Sequence, residues 1–276
     1  MLSSCHNTNC IWHKRYLKLP APASTCSPGC TAITTGLNQP RDQRERWWYN
    51  AGFDSVIGVD EVGRGCIAGP VVAAAVMLDI PQLNQLPHHH VQLICDSKSL
   101  KEKQRNTAAH LIKKICRGYA IASIKPHIID QIGIHQASIK AMQQATIKLA
   151  RTCNFSQPHH STTEYFSDIL VCIDGRFPLN LADEFSANCH NRHHREIAII
   201  KGDQELLCIG AASIIAKAHR DSAIKRMERL FPQYAGYGFS SHVGYPTPAH
   251  KNALQRRGVS AIHRRSYAPV KSLLNI

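Results

Sequence analysis

The stretch SVIGVDEVGRGCIAGPVVAAAVML, residues 55–78, decides the fold of this chain. It holds two apolar runs of strand length, SVIGVD and GPVVAAAVML, and the segment between them, EVGRGCIA, contains too much glycine for a helix. We therefore predict two neighbouring strands, of which the second is buried, joined as a hairpin by a broad and exposed connection.

Strand and helix patterns continue downstream of this hairpin. Three further apolar runs, YAIASI, ILVCID and EIAIIKG, predict strands. Residues 99–102, SLKE, have the pattern of a capping box and predict a helix that runs to about residue 117. The spacing of apolar residues predicts more helices near residues 127–132, 135–151 and 206–230. This order of elements predicts a mixed α/β domain.

The charge of the chain favours a polyanionic partner. There are 33 Lys and Arg against 19 Asp and Glu, a formal net charge of +14, and basic surfaces attract nucleic acid through release of its counterions. The distribution of charge adds to this argument, because residues 241–276 contain no acidic residue. We predict that this tail faces phosphates. Its basic residues are Lys251, Arg256, Arg257, Arg264, Arg265 and Lys271.

The first fifty residues differ in composition from the rest. They contain four of the 11 cysteines, a Pro/Ser/Thr-rich stretch and no acidic residue before Asp42. We therefore predict a poorly ordered extension over residues 1–50 and one main domain over residues 51–276. Within that domain we expect the catalytic sheet at about 55–230 and a basic C-terminal part at about 231–276. Two alternatives for the extension stay open, a zinc site with irregular ligand spacing and an organelle transit peptide.

Cysteine usage and hydropathy bear on the location of the protein. The cysteines are odd in number and scattered, several of them within apolar runs, which argues against a disulfide framework and for a reducing compartment. No apolar run approaches the ~20 residues that span a bilayer, and the N-terminus lacks the apolar stretch of a secretory signal. We expect a soluble, cytoplasmic protein with no membrane partner.

Acidic residues follow three of the apolar strands. Asp60 and Glu61 come after VIGV, Asp174 comes after LVCI, and Asp203 follows AIIKG. Strand ends converge at one edge of a sheet, so carboxylates that are far apart in sequence can meet there. Clustered carboxylates repel one another unless a cation neutralises them, and their hard oxygens suit Mg²⁺ or Mn²⁺. The pattern predicts metal-assisted hydrolysis of a phosphodiester, although single acids after strands are more often turn formers or helix caps.

The connection after the first strand also fits a nucleotide. Gly63 and Gly65 would let the main chain approach a ligand closely, and Arg64 between them offers a planar donor fork suited to phosphate. Two adjacent acids that follow a buried strand and precede Gly-Arg-Gly are harder to explain as turn formers than isolated acids are. The residue types and their spacing together indicate a nucleotide-binding site.

The stretch GVDEVGRG at residues 58–65, followed by GPVVAAAV, resembles the N-terminal signature of ribonuclease HII. The resemblance continues in the same order through residues 56–272, which makes it far more specific than one short motif. The further matching blocks are DSKSL at 96–100, IDQIGIHQASIKAM at 129–142, IDG at 173–175, KGD at 201–203, ASIIAKAHRD at 212–221, FPQY at 231–234, GYPT at 244–247 and HRRSYAPV at 263–270.

The resemblance implies a ribonuclease H-like fold, in which helices flank a central mixed sheet and a basic C-terminal helical part helps to grip the duplex. It further implies a catalytic site whose metal is Mn²⁺ or Mg²⁺, and a set of substrate contacts. The catalytic residues would be Asp60, Glu61, Asp174 and Asp203, the first three of them binding metal. The substrate contacts would be Gly63, Arg64 and Gly65 at the ribonucleotide, Tyr245 against the sugar at the RNA-to-DNA junction, and Lys98, Ser213 and Lys217 as candidate phosphate contacts.

Three points of the match stay open. An i,i+4 pair of Lys217 with Asp221 on a solvated helix face explains their common stripe as well as phosphate contact does. Val243 stands before GYPT where the family commonly has Lys, which would remove one phosphate contact. The segment between Asp174 and Asp203 is longer than we expect for the family, so the assignment of Asp203 depends on the KGD match.

The function that the resemblance implies is that of an endonuclease. Members of the family cut 5′ to ribonucleotides in RNA:DNA hybrids and in DNA duplexes with embedded ribonucleotides, by two-metal-ion catalysis, and leave 3′-hydroxyl and 5′-phosphate ends. One alternative is a catalytically idle duplex-binding protein of the same fold, which is disfavoured because a pure binder has no use for repelling carboxylates. A second alternative is another two-metal nuclease of this fold that acts on long hybrids or on DNA alone.

Overall fold

The computed structural model describes residues 33, 35–53, 55–95, 100–153, 169–181, 185, 187–189 and 194–275. At the centre lies a five-stranded sheet with the strand order β3-β2-β1-β4-β5. The strands β1, β2 and β3 pair antiparallel, whereas β1, β4 and β5 pair parallel. The predicted mixed sheet and its hairpin are confirmed. The strands are β1 (Ser55–Val62), β2 (Val71–Leu78), β3 (Cys116–Ile124), β4 (Ile169–Asp174) and β5 (His194–Ile199).

The hairpin strands β1 and β2 form the middle of the sheet, and their side chains alternate between two apolar layers. Val56 and Val76 belong to one layer, while Ile57 and Ala75 belong to the other. Every residue of β2 is buried. A strand that is covered on both faces has a continuous apolar run rather than an alternating one, which is why residues 55–78 are so apolar.

Helices cover both faces of the sheet. The helix α5 packs in the layer that contains Ile57, and α4 and α7 pack in the layer that contains Val56. Gly133 has a φ of 78° and kinks α5, so the two predicted helical stretches form one bent element. The helices are α1 (Arg44–Asn50), α2 (Ile80–Asn84), α3 (His88–Cys95), α4 (Glu102–Ile115), α5 (Pro126–Thr152), α6 (Gly202–Glu205), α7 (Leu207–Leu230), α8 (Phe239–His242), α9 (Pro248–Arg257) and α10 (Ala268–Leu274), with 3-10 turns at Arg41–Gln43 and Pro232–Tyr234.

The C-terminal part is helical, as predicted, but part of its charge points inward. The side chain of Arg264 is fully buried and His263 is 2% exposed. The guanidinium of Arg264 donates to the carbonyls of Gly69 at 3.0 Å and Arg64 at 2.9 Å. The prediction that the tail faces phosphates is therefore wrong for residues 263–264, because Arg264 fastens the tail to the connection between β1 and β2 and the His263 ring bonds Ser260 and His250 within the tail.

The structure differs from the predicted extension over residues 33–50. The 3-10 turn and α1 lie within this stretch, and Trp48 is fully buried in the layer that contains Val56. Its indole N–H donates to the carbonyl of Ile33 at 3.2 Å. A buried tryptophan removes a large apolar area from water, so this segment packs on the domain. Residues 1–32, with the cysteines considered for zinc, lie outside the described residues.

Two smaller findings complete the fold. The helix α4 begins later than predicted, with Lys101 as its N-cap, and the backbone N–H of Lys101 donates to the side chain of Gln104 at 3.0 Å. Over the residues described here, no helix combines the length and the apolar character that crossing a bilayer requires.

Candidate active site

Three carboxylates lie together at one edge of the sheet. Asp60 and Glu61 are near the end of β1, Asp174 ends β4, and one oxygen of each lies within 4.8 Å of the others. The cluster forms because β1 and β4 are parallel neighbours, with Val59 paired to Ile173, so their carboxyl ends share an edge. The expectation that these acids meet although they are distant in sequence is met by the geometry.

The negative charges of these three carboxylates lie close enough to repel one another. Asp60 is 5% exposed; burial raises its pKa well above the usual range, and the neighbouring charges of Asp174 and Glu61 raise the pKa further. Two donors partly oppose this effect, the Ser213 hydroxyl and the backbone N–H of Glu61, the latter at 2.7 Å. Three hard oxygen ligands under mutual repulsion fit a divalent cation such as Mg²⁺ or Mn²⁺, whose charge would keep them ionised.

Asp203 lies beside the cluster but outside the group of three. It belongs to the short helix α6 and is 2% exposed. The preceding residue makes the connection, because the backbone N–H of Gly202 donates to Asp174 Oδ1 at 2.7 Å. The turn that carries Asp203 is therefore bonded directly to a member of the cluster.

A cleft of about 450 Å³ lies over the acids. Besides Asp60, Glu61 and Asp174, it is lined by Val62, by Arg105 and by six of the seven predicted substrate contacts. Lys98, the seventh, lies outside the described residues. The six contacts that line the cleft are Gly63, Arg64, Gly65, Ser213, Lys217 and Tyr245.

The two glycines of the connection after β1 have different roles. Gly63 has a φ of 94°, and a Cβ there would overlap the side chain of Arg220, so the local packing itself requires glycine. A Cβ at Gly65 would meet nothing within 4 Å. Arg64 between them is half-exposed and its guanidinium lies 3.2 Å from Glu61 Oε1. Only Gly65 is therefore free of an internal reason to be glycine, and its open side lines the cleft.

Lys217 and Tyr245 form one wall of the cleft. Lys217 Nζ donates to Asp221 Oδ1 at 2.9 Å and lies 5.2 Å from the centre of the Tyr245 ring. The two explanations of Lys217 are thus compatible, since Lys217 forms the i,i+4 pair with Asp221 and also lines the cleft. Burial raises the pKa of the Tyr245 phenol, and the residue is 36% exposed.

Several residues near the site were not predicted from the sequence. Arg105 Nη1 lies 3.4 Å from Asp221 Oδ2 at the rim of the cleft, and nothing in its Lys- and Gln-rich surroundings distinguishes it. Arg220 is fully buried and donates to the carbonyls of Ala68 at 3.0 Å and Val243 at 2.8 Å. Arg220 lies four positions after Ala216 and four before Ile224, two buried apolar residues of α7. This helical spacing is the signal in the sequence that points to burial. Val243 itself is 8% exposed and packs in the small C-terminal cluster.

Known proteins of one family are similar to this chain in sequence. The family model described as Ribonuclease HII matches residues 57–270. A Ribonuclease HII of Francisella tularensis subsp. tularensis is 38% identical over 220 residues, which cover 80% of this chain and 98% of that protein. A Ribonuclease HII of Francisella philomiragia subsp. philomiragia is 38% identical over 219 residues, which cover 79% of this chain and 99% of that protein.

Solved structures extend the likeness to the fold. The ribonuclease H2 from Pyrococcus horikoshii OT3 superposes with a TM-score of 0.59 at 23% identity, covering 80% of this chain and 97% of that chain. The structure of Bst-RNase HIII in complex with Mn²⁺ superposes with a TM-score of 0.57 at 19% identity, covering 81% of this chain and 70% of that chain. Both have the ribonuclease H-like arrangement of a mixed sheet with flanking helices.

Proposed function

We propose that this chain, which belongs to the ribonuclease HII family and is a ribonuclease H, cuts the phosphodiester 5′ to ribonucleotides by means of divalent cations held at its acidic cluster. We propose as substrates both RNA:DNA hybrids and DNA duplexes with embedded ribonucleotides. The observation that supports this most directly is the cluster of Asp60, Glu61 and Asp174 beneath a cleft lined by Gly65 and Tyr245.

The carboxylates of Asp60, Glu61 and Asp174 would hold Mn²⁺ or Mg²⁺, and we assign Asp203 as the fourth catalytic acid. Two divalent cations bound at such a site supply an activated water and stabilise the leaving oxygen. Attack of water on the phosphorus breaks its bond to the 3′-oxygen, which leaves a 3′-hydroxyl and a 5′-phosphate. The role of this chain is to hold four acids at fixed positions in a largely buried edge, where repulsion alone would separate them.

Selection of the cut site requires reading of a 2′-hydroxyl, the group that distinguishes RNA from DNA. We assign this reading to the main chain at Gly65, where no side chain stands between the backbone and the cleft. The ring of Tyr245 would stack on the next sugar, where a second 2′-hydroxyl would crowd it. Phosphate contacts position the duplex without carrying this information. We assign them to Arg64, Lys98, Ser213 and Lys217.

A direct experiment uses three duplexes of one sequence: all DNA, DNA with a single ribonucleotide, and a uniform RNA:DNA hybrid. We expect cleavage 5′ to the single ribonucleotide and within the hybrid, with Mn²⁺ or Mg²⁺ present, and none of the all-DNA duplex. End analysis should find 3′-hydroxyl and 5′-phosphate termini. Tight binding of the duplexes without cleavage in either metal would instead support the idle duplex-binding protein. Cleavage of the hybrid alone would contradict the proposed action at embedded ribonucleotides.

A further inference from the structure

A segment that precedes the family match lies against the part of the fold that carries Asp203. The family match begins at residue 57, and the Francisella tularensis relative is covered over 98% of its own length by the matched 220 residues. That relative therefore has no room for a counterpart of residues 1–50. In this chain, the 3-10 turn Arg41–Gln43 and α1 contact α6 and the start of α7 through three charged side chains.

Two arginines of this segment hold the helix α6. Arg41 Nη2 donates to the carbonyl of Asp203 at 2.9 Å. Arg44 Nη1 donates to the carbonyl of Glu205 at 3.1 Å and to its carboxylate at 2.7 Å. The Arg44 side chain is only 15% exposed, so this ion pair is partly shielded from water. A helix of four residues is too short to be stable by its own hydrogen bonds, and its position depends on such contacts.

A glutamate of the same segment caps the next helix. Glu45 is 1% exposed, and its Oε1 accepts from the backbone N–H of Cys208 at 3.0 Å. Cys208 is in the first turn of α7, whose own N-cap residue Leu206 makes no side-chain cap hydrogen bond. A carboxylate is favourable at a helix N-terminus because it accepts from unpaired N–H groups and complements the helix dipole. The fully buried Trp48 fixes this segment in the apolar layer.

We propose that residues 41–48 are a positioning brace that sets the place of Asp203 relative to Asp174. The brace acts on the backbone: Arg41 holds the carbonyl of Asp203, and the neighbouring N–H of Gly202 bonds Asp174. Loss of the Arg41 bond would therefore let Asp203 move relative to Asp174, while the Gly202 bond still ties the turn to Asp174. The inference rests on the proposed catalytic role of Asp203, and it makes Arg41 a positioning residue that touches neither metal nor substrate.

The test is a double-mutant cycle in the full-length protein. Arg41→Ala is measured in the wild-type and in the Asp203→Asn background, by single-turnover cleavage of the single-ribonucleotide duplex at saturating enzyme. We expect Arg41→Ala to lower the wild-type rate about fivefold, and to change the residual rate of Asp203→Asn less than about 1.5-fold, because the carboxylate that the brace positions is already absent there. Gln43→Ala, at an exposed position of the same turn, is the matched control and should have the wild-type rate.

A second readout does not depend on activity. In metal-free protein, amide hydrogen exchange over residues 200–206 should become about tenfold faster in Arg41→Ala and should stay unchanged in Gln43→Ala. Arg41→Gln, which keeps a neutral donor, should show a smaller acceleration of exchange. It provides a second measurement if the alanine variant misfolds.

Three results would overturn the brace. Equal fold losses in the two backgrounds would indicate a general structural defect, which does not depend on Asp203. Unchanged exchange over residues 200–206 in Arg41→Ala would show that this turn keeps its position without the arginine. A wild-type rate in Asp203→Asn would remove the catalytic assignment of Asp203 itself, and the brace with it. Failure of the brace alone leaves the rate of Asp203→Asn far below wild type, so the two failures can be distinguished.

Discussion

At the scale of single residues, Asp60 shows the conflict between stability and catalysis at this site most clearly. It is 5% exposed and shares its cluster with two other carboxylates. Asp60→Asn keeps the shape of the side chain and removes one negative charge. We expect cleavage to fall at least about a hundredfold, because a direct metal ligand is lost. We also expect the metal-free protein to unfold at a higher temperature, because repulsion within the cluster is relieved.

Cleavage kinetics of the Asp60→Asn protein check the expected loss of rate, and thermal unfolding of the metal-free protein checks the expected gain in unfolding temperature. A remaining rate above about a tenth of wild type corresponds to less than about 1.4 kcal/mol of barrier. So small a loss is incompatible with a direct metal ligand, and the assignment of Asp60 would be withdrawn.

The two glycines after β1 provide a matched pair of substitutions. Gly63→Ala places a Cβ against Arg220 at a φ of 94°, and we expect it to lower the free energy of unfolding by ~1–3 kcal/mol. Gly65→Ala adds a methyl group to open space, so the unfolding free energy should stay within about 0.5 kcal/mol of wild type. The methyl group would nevertheless obstruct the sugar, and kcat/KM on the single-ribonucleotide duplex should fall more than about tenfold. Full activity in Gly65→Ala would show that the sugar does not lie there.

At the scale of elements, a largely buried series of hydrogen bonds joins α9 to the loops before and after it. The backbone N–H of Ser260 donates to His263 Nδ1 at 3.0 Å, His263 Nε2 lies 3.1 Å from His250 Nε2, and His250 Nδ1 lies 2.8 Å from the carbonyl of Tyr245. The rings of His242 and His250 are stacked with centres 4.1 Å apart. This series of hydrogen bonds requires that the imidazoles of His250 and His263 are neutral, because a single proton must lie between their two Nε2 atoms.

Burial lowers the pKa of both His250 and His263 to about 4. Their pKa in the unfolded chain is about 6.5, so between these values the unfolded state takes up protons that the folded state does not. Stability should therefore be independent of these two rings above pH ~6.5 and should fall as the pH is lowered from there towards 4. Urea unfolding at pH 7 and at pH 5.5 measures this loss. His263→Gln should show a smaller loss over that interval, and an equal loss in the two proteins would contradict the account.

The elements that were predictable are those whose signal is local. The continuous apolar runs of β1 and β2 indicated a buried hairpin, and the gap between the two predicted helical stretches, 127–132 and 135–151, coincides with the bend of α5 at Gly133. The segment of residues 33–50 was missed because its contacts are distant in sequence: Arg41 and Glu45 bond residues that lie 162 and 163 positions away. Charged residues in a polar stretch predict a solvated chain unless such partners are known.

Part of the site could also be predicted, because its signal lies in the sequence of the strands themselves. The acids at the ends of β1 and β4 could be placed together because parallel neighbours share an edge. The inward direction of Arg264 and Arg220 could not be read from their type, because buried arginines are rare and need carbonyl partners supplied by other loops. The resemblance supplied Tyr245, whose loop meets the Gly-Arg-Gly connection only in the folded chain, where Ile67 N–H donates to the carbonyl of Gly244 at 2.9 Å.

At the scale of the whole molecule, the described part of residues 33–50 belongs to the folded unit. A chain that begins at residue 51 lacks the buried Trp48 and the Glu45 cap, and we expect it to lose at least ~3 kcal/mol of unfolding free energy. The composition of residues 1–50 had led us to expect a poorly ordered extension. Chemical unfolding of the full-length protein and of the chain that begins at residue 51 measures this loss. A chain that begins at residue 33 is the control, because it keeps the described contacts. Equal stability of the chains that begin at 51 and 33 would contradict the packing of α1.

The central claim is that the cleft over Asp60, Glu61 and Asp174 selects a ribonucleotide followed by a deoxyribonucleotide. The most direct measurement is kcat/KM of Tyr245→Ala on the single-ribonucleotide duplex and on the uniform hybrid. If the ring stacks on the deoxyribose, the loss should be at least about tenfold larger on the single-ribonucleotide duplex than on the hybrid. Equal losses on the two substrates would show that Tyr245 does not read the junction and would contradict the account.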